Sequence, residues 1–140
     1  MTKHILHAAL CLIFLTTSCS KDDDNDSTNG VTVKQETLVG KWYFVDQVIN
    51  GERIPYDDHE DCGRDYIEFK EDGTIWQMDV WDCEEYYELT GVYSISDGQL
   101  HLNGETVKVI ELNSSKFSIT GEEDYDEDGE MDEVTLNFER

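Results

Sequence analysis

At 140 residues, with 33 acidic against 10 basic side chains and a formal charge of −23, the chain has room for one modest domain and repels nucleic acid and anionic lipid headgroups. Its apolar run from Ala8 to Leu15 is far shorter than the roughly 20 residues that cross a bilayer. A membrane, if the protein sits at one, must therefore hold it by an attached anchor rather than by a span or by charge.

Met1-Thr2-Lys3-His4 is a short basic start, and the apolar run behind it fits the central region of a signal peptide over residues 1–18. Leu15-Thr16-Thr17-Ser18-Cys19 resembles the lipobox of bacterial lipoproteins. That resemblance implies cleavage before Cys19 and acylation of its thiol; an ordinary signal peptide with an incidental cysteine is the alternative. Ser20-Lys21-Asp22-Asp23-Asp24 resembles the surface-export signal of lipoproteins in one phylum of Gram-negative bacteria, which implies an outer-membrane, cell-surface location. Residues 19–32 carry almost no apolar side chain beyond the cysteine, so they are expected to form a lipidated, acidic tether that does not fold. Its roughly twelve polar residues reach about 40 Å when extended.

Residues 33–140 read as one all-β domain. Thr32–Val39 (TVKQETLV) suits one or two helical turns, with Thr32 as a weak cap. Gly40–Asn50 is aromatic and β-branched, hence a strand. Asp65–Lys70 and Thr74–Asp82 flank Glu71-Asp72-Gly73, a hairpin with glycine where a positive φ is needed. Glu85–Ile95 places Tyr87, Leu89, Tyr93 and Ile95 on one alternation face. Asp97-Gly98, Gly104 and Asn113-Ser114-Ser115 then punctuate Gln99–Asn103, Glu105–Leu112 and Lys116–Gly121, and Glu133–Glu139 ends the domain. Eight strands joined mostly by short turns predict an antiparallel up-and-down β-barrel, the number that closes a small barrel and leaves no exposed edge. A two-sheet sandwich is the alternative.

Gly40-Lys41-Trp42 resembles the G-x-W signature of lipocalins, and the eight-strand meander resembles them too. Leu38–Trp42, the Asp72-Gly73 hairpin and the terminal Asn137-Phe138-Glu139-Arg140 are similar to the lipocalin-like lipoproteins of the same bacterial phylum, over residues 33–140. The resemblance implies that Trp42 closes the barrel floor and that Arg140 packs across it. Simple core and surface roles for the two residues are the alternative.

In a meander the connections 51–63, 83–84 and 122–132 share one rim, opposite the end where the tether enters. If Lys70 faces Thr74, facing residue numbers sum to 144, which sets Cys62 nearly opposite Cys83. Facing Cα atoms about 4.5–5.5 Å apart lie within disulfide range. A zinc site built on His59, Cys62, Cys83 and a carboxylate is the sharper alternative. At the same rim, Asp124, Asp126, Asp128, Glu130 and Asp132 surround Gly129 with the spacing of a calcium loop, although position 12 would be Thr135 rather than a bidentate glutamate.

No nucleophile motif, phosphate loop or base–acid pair stands out, so a non-catalytic protein needing no cofactor is expected. Two functions fit. One is a barrel that takes a small hydrophobic or amphipathic ligand, with Trp76, Met78, Tyr87, Leu89 and Tyr93 as wall residues. The other is an interaction module that engages a protein partner through the acidic rim. About 105 residues in eight strands leave little interior beyond packed side chains, which favours a filled core.

Overall fold

The structure is a computed structural model that describes residues 30–140; Cys19 and the rest of residues 1–29 lie outside the described residues. A helical turn, α1 (Gln35–Leu38), precedes β1 (Gly40–Ile49), β2 (Glu52–Pro55), β3 (Tyr66–Phe69), β4 (Thr74–Trp81), β5 (Glu84–Ser96), β6 (Gln99–Leu102), β7 (Glu105–Leu112), β8 (Lys116–Glu123) and β9 (Asp132–Glu139). Apart from β2, each strand pairs antiparallel with its sequence neighbours and β9 returns to β1, so the meander closes into an eight-stranded barrel. The end that holds α1 is the floor, and the other end is the rim.

The turns show why the chain folds back where it does. Asn50-Gly51, Asp82-Cys83, Asp97-Gly98 and Asn103-Gly104 all hold both residues at positive φ. That mirror-image turn matches the right-handed twist of the strands it joins. At Asp72-Gly73, the Asp72 carboxylate instead accepts bonds from the Thr74 N–H (3.0 Å) and hydroxyl (2.6 Å).

The first of these turns corrects one expectation. Residues 51–63 were expected as loop throughout, yet Asn50-Gly51 folds Glu52–Pro55 back onto the rim half of β1 as an extra strand. β3 pairs only with the floor half of β1, at Gly40–Tyr43. Arg53 of β2 forms an ion pair with Asp46, whose carboxylate is almost fully buried and also accepts the Asn137 Nδ2 amide at 2.7 Å. A buried carboxylate stripped of such partners would be strongly unfavourable, so this pairing fixes β2 in place.

Inside the barrel, Trp42, Phe69, Phe117, Leu38, Ile75 and Leu100 are fully buried. Phe117 touches Trp42, Phe69 and Phe138 with ring centroids 5.5–5.7 Å apart, and Phe138 continues the chain of rings to Phe44. A second, smaller core lies on the outside. Tyr43, Tyr66 and Met78 face one another across β1, β3 and β4, and Val80 joins them. Segment 56–65 covers this cluster, close enough that a Cβ on Gly63 would meet Val80 Cγ2 at 2.8 Å.

Candidate functional site

The floor is built from the first and last strands. Gly40 holds φ at +120°, and a Cβ there would meet the Arg140 guanidinium at 3.2 Å. With that space clear, Arg140 lies over the Trp42 ring, 3.9 Å from its centroid. Its Nη2 donates to the carbonyls of Thr37, Leu38 and Val39, the last turn of α1, at 2.6–3.2 Å. Trp42 Nε1 donates to the Leu38 carbonyl at 2.8 Å, so the same helix end is held from both sides. Glycine, tryptophan and arginine are thus three parts of one plug.

On the side of β1, β3 and β4 the rim is covered by different chemistry. After β2 the chain turns inward, and Tyr56 stacks on Phe44 at 4.9 Å with planes 17° apart. The Tyr56 hydroxyl donates to Asp65 Oδ2 at 2.6 Å, and Asp65 Oδ1 accepts the Val80 N–H at 2.7 Å. His59 completes the cap: Nδ1 accepts the Asp65 N–H at 3.1 Å, which leaves Nε2 to donate to the Phe44 carbonyl at 2.8 Å. Burial, then the bond to Asp65, then the carboxylates of Asp65, Asp58 and Asp79 push the Tyr56 phenol far above its ordinary value. Asp79 is raised as well, chiefly by burial and by Asp65, Glu88 and Asp58, against the bond from Gln77 that lowers it.

Among the described residues, a cavity of about 40 Å³ lies between floor and cap, lined among others by Phe44, Phe69, Gln77, Thr90, Phe117 and Phe138, and a separate recess of about 300 Å³ opens at the rim beside Val107, Gly121 and Glu133. The cavity has room for one water or so, against the several hundred cubic ångströms of a small-molecule site. The expected wall residues fare unevenly. Tyr93 is inside and buried, its hydroxyl donating to the Lys70 carbonyl at 2.7 Å. Trp76 and Met78 alternate with Ile75 and Gln77, which line the cavity, and therefore face outward. Tyr87 and Leu89 are 56% and 53% exposed. The cause is a bulge at Thr90, where the register changes between Ile75↔Gly91 and Trp76↔Leu89 and the two halves of β5 exchange faces.

Cys62 and Cys83 are joined by a disulfide with Cα atoms 5.7 Å apart. The β3–β4 ladder runs in the expected register, Tyr66 facing Met78. The bond ties the tip of the β4–β5 hairpin to segment 56–65, and Glu60 adds to it by accepting the N–H groups of Asp82 and Cys83, each at 2.9 Å. The zinc alternative fails on geometry, because both sulfurs are bonded to each other and both His59 nitrogens are engaged.

With floor, interior and rim described, the chain matches the family model of the lipocalin-like domain over residues 38–137. The chain belongs to the lipocalin-like domain family. No curated protein matches it.

In this lipocalin-like barrel the acidic loop, residues 124–131, leans onto β1, where Gln47 Nε2 donates to the Tyr125 hydroxyl at 3.0 Å. Asp124, Asp126 and Asp128 each bring a carboxylate oxygen within 4.8 Å of the others. Gly129, at φ +92°, donates its N–H to Asp124 Oδ2 at 3.1 Å. Asp124 Oδ1 is buried and lacks a hydrogen-bond partner. The other two expected ligands stand apart from this group. Asp132 opens β9 and accepts from Asn50 Nδ2 and the Tyr125 N–H, and Glu130 is exposed.

Two features escaped sequence reasoning. The β1–β2 hairpin had a signal, since Asn-Gly between Val48-Ile49 and Arg53-Ile54 is the strongest short-range mark of such a turn. The Tyr56 cap had none, because it joins residues by their place in the fold and follows no local period.

Proposed function

We propose that this lipocalin-like domain serves as a lipid-anchored, non-catalytic interaction module at the cell surface, working through its acidic rim rather than through a ligand held in the barrel. The observation that carries this reading is the tight interior: among the described residues, the cavity lined by Phe44, Phe117 and Phe138 has about 40 Å³, and Tyr56 stacks on Phe44. The anchoring half rests on Leu15–Cys19, and Val33, the start of the folded domain, docks at the floor through its N–H to the Gly98 carbonyl at 2.8 Å. An anchor on that side turns the rim away from the membrane. The test is titration with N-phenyl-1-naphthylamine, a neutral probe that brightens in apolar sites, together with a native mass spectrum of protein purified from its host. The reading expects no saturable signal and the bare mass of the lipidated chain. Saturable one-to-one binding, or a retained small molecule, would overturn it in favour of a carrier.

A second reading, that the acidic loop takes calcium, is favoured by the three converging carboxylates and by the orphaned Asp124 Oδ1. A bound cation would partner that oxygen and relieve the repulsion among the three. Calcium should then raise the melting midpoint with increasing concentration. Asp126→Asn should abolish the rise, and an unchanged midpoint at millimolar calcium rules the site out.

A further inference from the structure

Resting on the reading of the rim as the working surface, we propose that the edge of β5 left unpaired among the described residues, Glu84–Leu89, accepts an extended basic segment of a partner protein as an added strand. Two features of the fold create this edge. On one side β5 pairs with β4 along its whole rim half, down to Trp81↔Glu84. On the other side β6 reaches only as far as Tyr93, and Asn103 Oδ1 caps the Val92 N–H at 3.0 Å, so the ladder stops there. Gly91 makes this stop possible, since a Cβ there would strike Asn103 Oδ1 at 2.5 Å. From Glu84 to Leu89 every residue is exposed, and Tyr86, Tyr87 and Leu89 are each more than half exposed. These six residues offer about 20 Å of strand edge.

The edge is also held ready. The disulfide and the Glu60 carboxylate fix its tip, so an incoming strand meets a preformed template instead of a fraying ribbon. Its side chains state what it accepts. Glu84, Tyr86 and Glu88 fall on one face; Glu85, Tyr87 and Leu89 fall on the other. A second copy of this chain would set glutamate against glutamate, the arrangement by which natural edge strands resist self-pairing. The complement is a strand that alternates lysine or arginine with aliphatic residues, its cations opposite Glu84 and Glu88 and its apolar side chains against Tyr87 and Leu89. Main-chain bonds then supply the pairing and the alternation supplies the selectivity.

The experiment uses the folded protein and two labelled peptides of equal charge, Lys-Val-Lys-Val-Lys-Val-Lys and Lys-Pro-Lys-Pro-Lys-Pro-Lys. The second cannot join a ladder, because proline lacks the N–H. Binding is read by fluorescence anisotropy and located by amide hydrogen exchange. The valine peptide should bind at least tenfold more tightly than the proline peptide and slow exchange within Glu84–Leu89. Glu84→Lys with Glu88→Lys, both at exposed positions, should remove that preference. Equal binding of the two peptides reduces the effect to bulk charge and overturns the proposal. So does protection on β2 instead of β5, and so does absence of binding. A positive result with the apolar probe described above would sink the broader reading without touching this one, so the two can fail separately.

Discussion

Replacing Arg140 by alanine tests whether the floor is a working part of the fold or a decorated chain end. The guanidinium sits 3.9 Å from the Trp42 centroid and reaches three carbonyls at the end of α1. A cation over an aromatic ring contributes about 0.5–1 kcal/mol at exposed sites and about 2 when desolvated. Arg140 is exposed along much of its length while Trp42 is fully buried, so the lower range applies to the cation. One nitrogen carries all three carbonyl contacts, and they count as little more than one charge-assisted bond, about 1.5 kcal/mol net. Together the loss comes to about 2–3 kcal/mol. For a domain of this size each kcal/mol shifts the midpoint by roughly 4–8 °C, so the expected drop is about 10–20 °C.

The assay is thermal and urea unfolding of Arg140→Ala, Trp42→Phe and the double variant. If the two residues act as one plug, the double variant should lose less than the sum of the singles, by about 0.5–2 kcal/mol of coupling. Arg140→Lys should recover part of the loss, because it restores a cation but not the planar guanidinium that lies over the Trp42 ring. A drop below about 3 °C for Arg140→Ala, or strict additivity with Trp42→Phe, would refute the argument and leave Arg140 as a solvated residue.

Three further outcomes follow from the rim. Cys62→Ser with Cys83→Ser opens a loop of sequence separation 21, which should lower stability by roughly 3 kcal/mol; reductant should do the same to the parent protein and nothing to the variant. The Tyr56 phenol is raised above the ordinary value near 10, so its contribution is whole below that pH and is lost as pH rises beyond it. Between about pH 9 and 11.5, Tyr56→Phe should therefore lose less of its urea midpoint than the parent, and parallel curves would discount the buried phenol. Asp79 has the opposite consequence: its folded-state value is raised above 3.8, so its charge costs stability at neutral pH, and that cost disappears as the carboxyl gains its proton. Asp79→Asn should stabilise at pH 7 and give nothing below about pH 3.5; an effect that stays constant with pH would point to packing.

Closure, strand order and the disulfide were legible because each rests on local chemistry. Asp97-Gly98 and Asn103-Gly104 demand positive φ, which few residues tolerate, so the hairpins are written where they occur. One such hairpin also fixes the register that brings Cys62 to Cys83. The wall of the barrel was harder to read for an equally physical reason. Alternation assumes an unbroken pleat, and the extra residue at Thr90 inverts every side chain beyond it. The mark of that bulge in the run Tyr87–Tyr93 is Gly91, an isolated glycine inside the strand, which signals a break without saying which residue is extra. The outer cluster of Tyr43, Tyr66, Met78 and Val80 misleads in the same way, because its apolar pattern is real but its cover is a loop rather than the core. The acidic loop lies between these cases: Asp124, Asp126 and Asp128 bring their carboxylates together, while Asp132 pairs with Glu123 at the end of β8 and accepts from Asn50.

The same misreading joins fold to proposed function. Had β5 kept one face inward throughout, Tyr87 and Leu89 would have lined a cavity; the bulge instead sets them outside, on the strand whose edge β6 leaves open. Apolar area that could have enclosed a ligand thus becomes area that a partner could cover. Such a ribbon alone in water would be marginal. Here the disulfide, the Glu60 carboxylate and the outer cluster hold it against segment 56–65 before any partner arrives. Binding at a surface already ordered forfeits little conformational entropy, and that entropy is a main cost of association. Reducing the disulfide should therefore weaken capture of the valine peptide under conditions where the barrel stays folded, with exchange at β5 speeding up beyond the general loss of stability. If reduction left the affinity unchanged while the tip of the hairpin frayed, preorganisation would have no part in recognition.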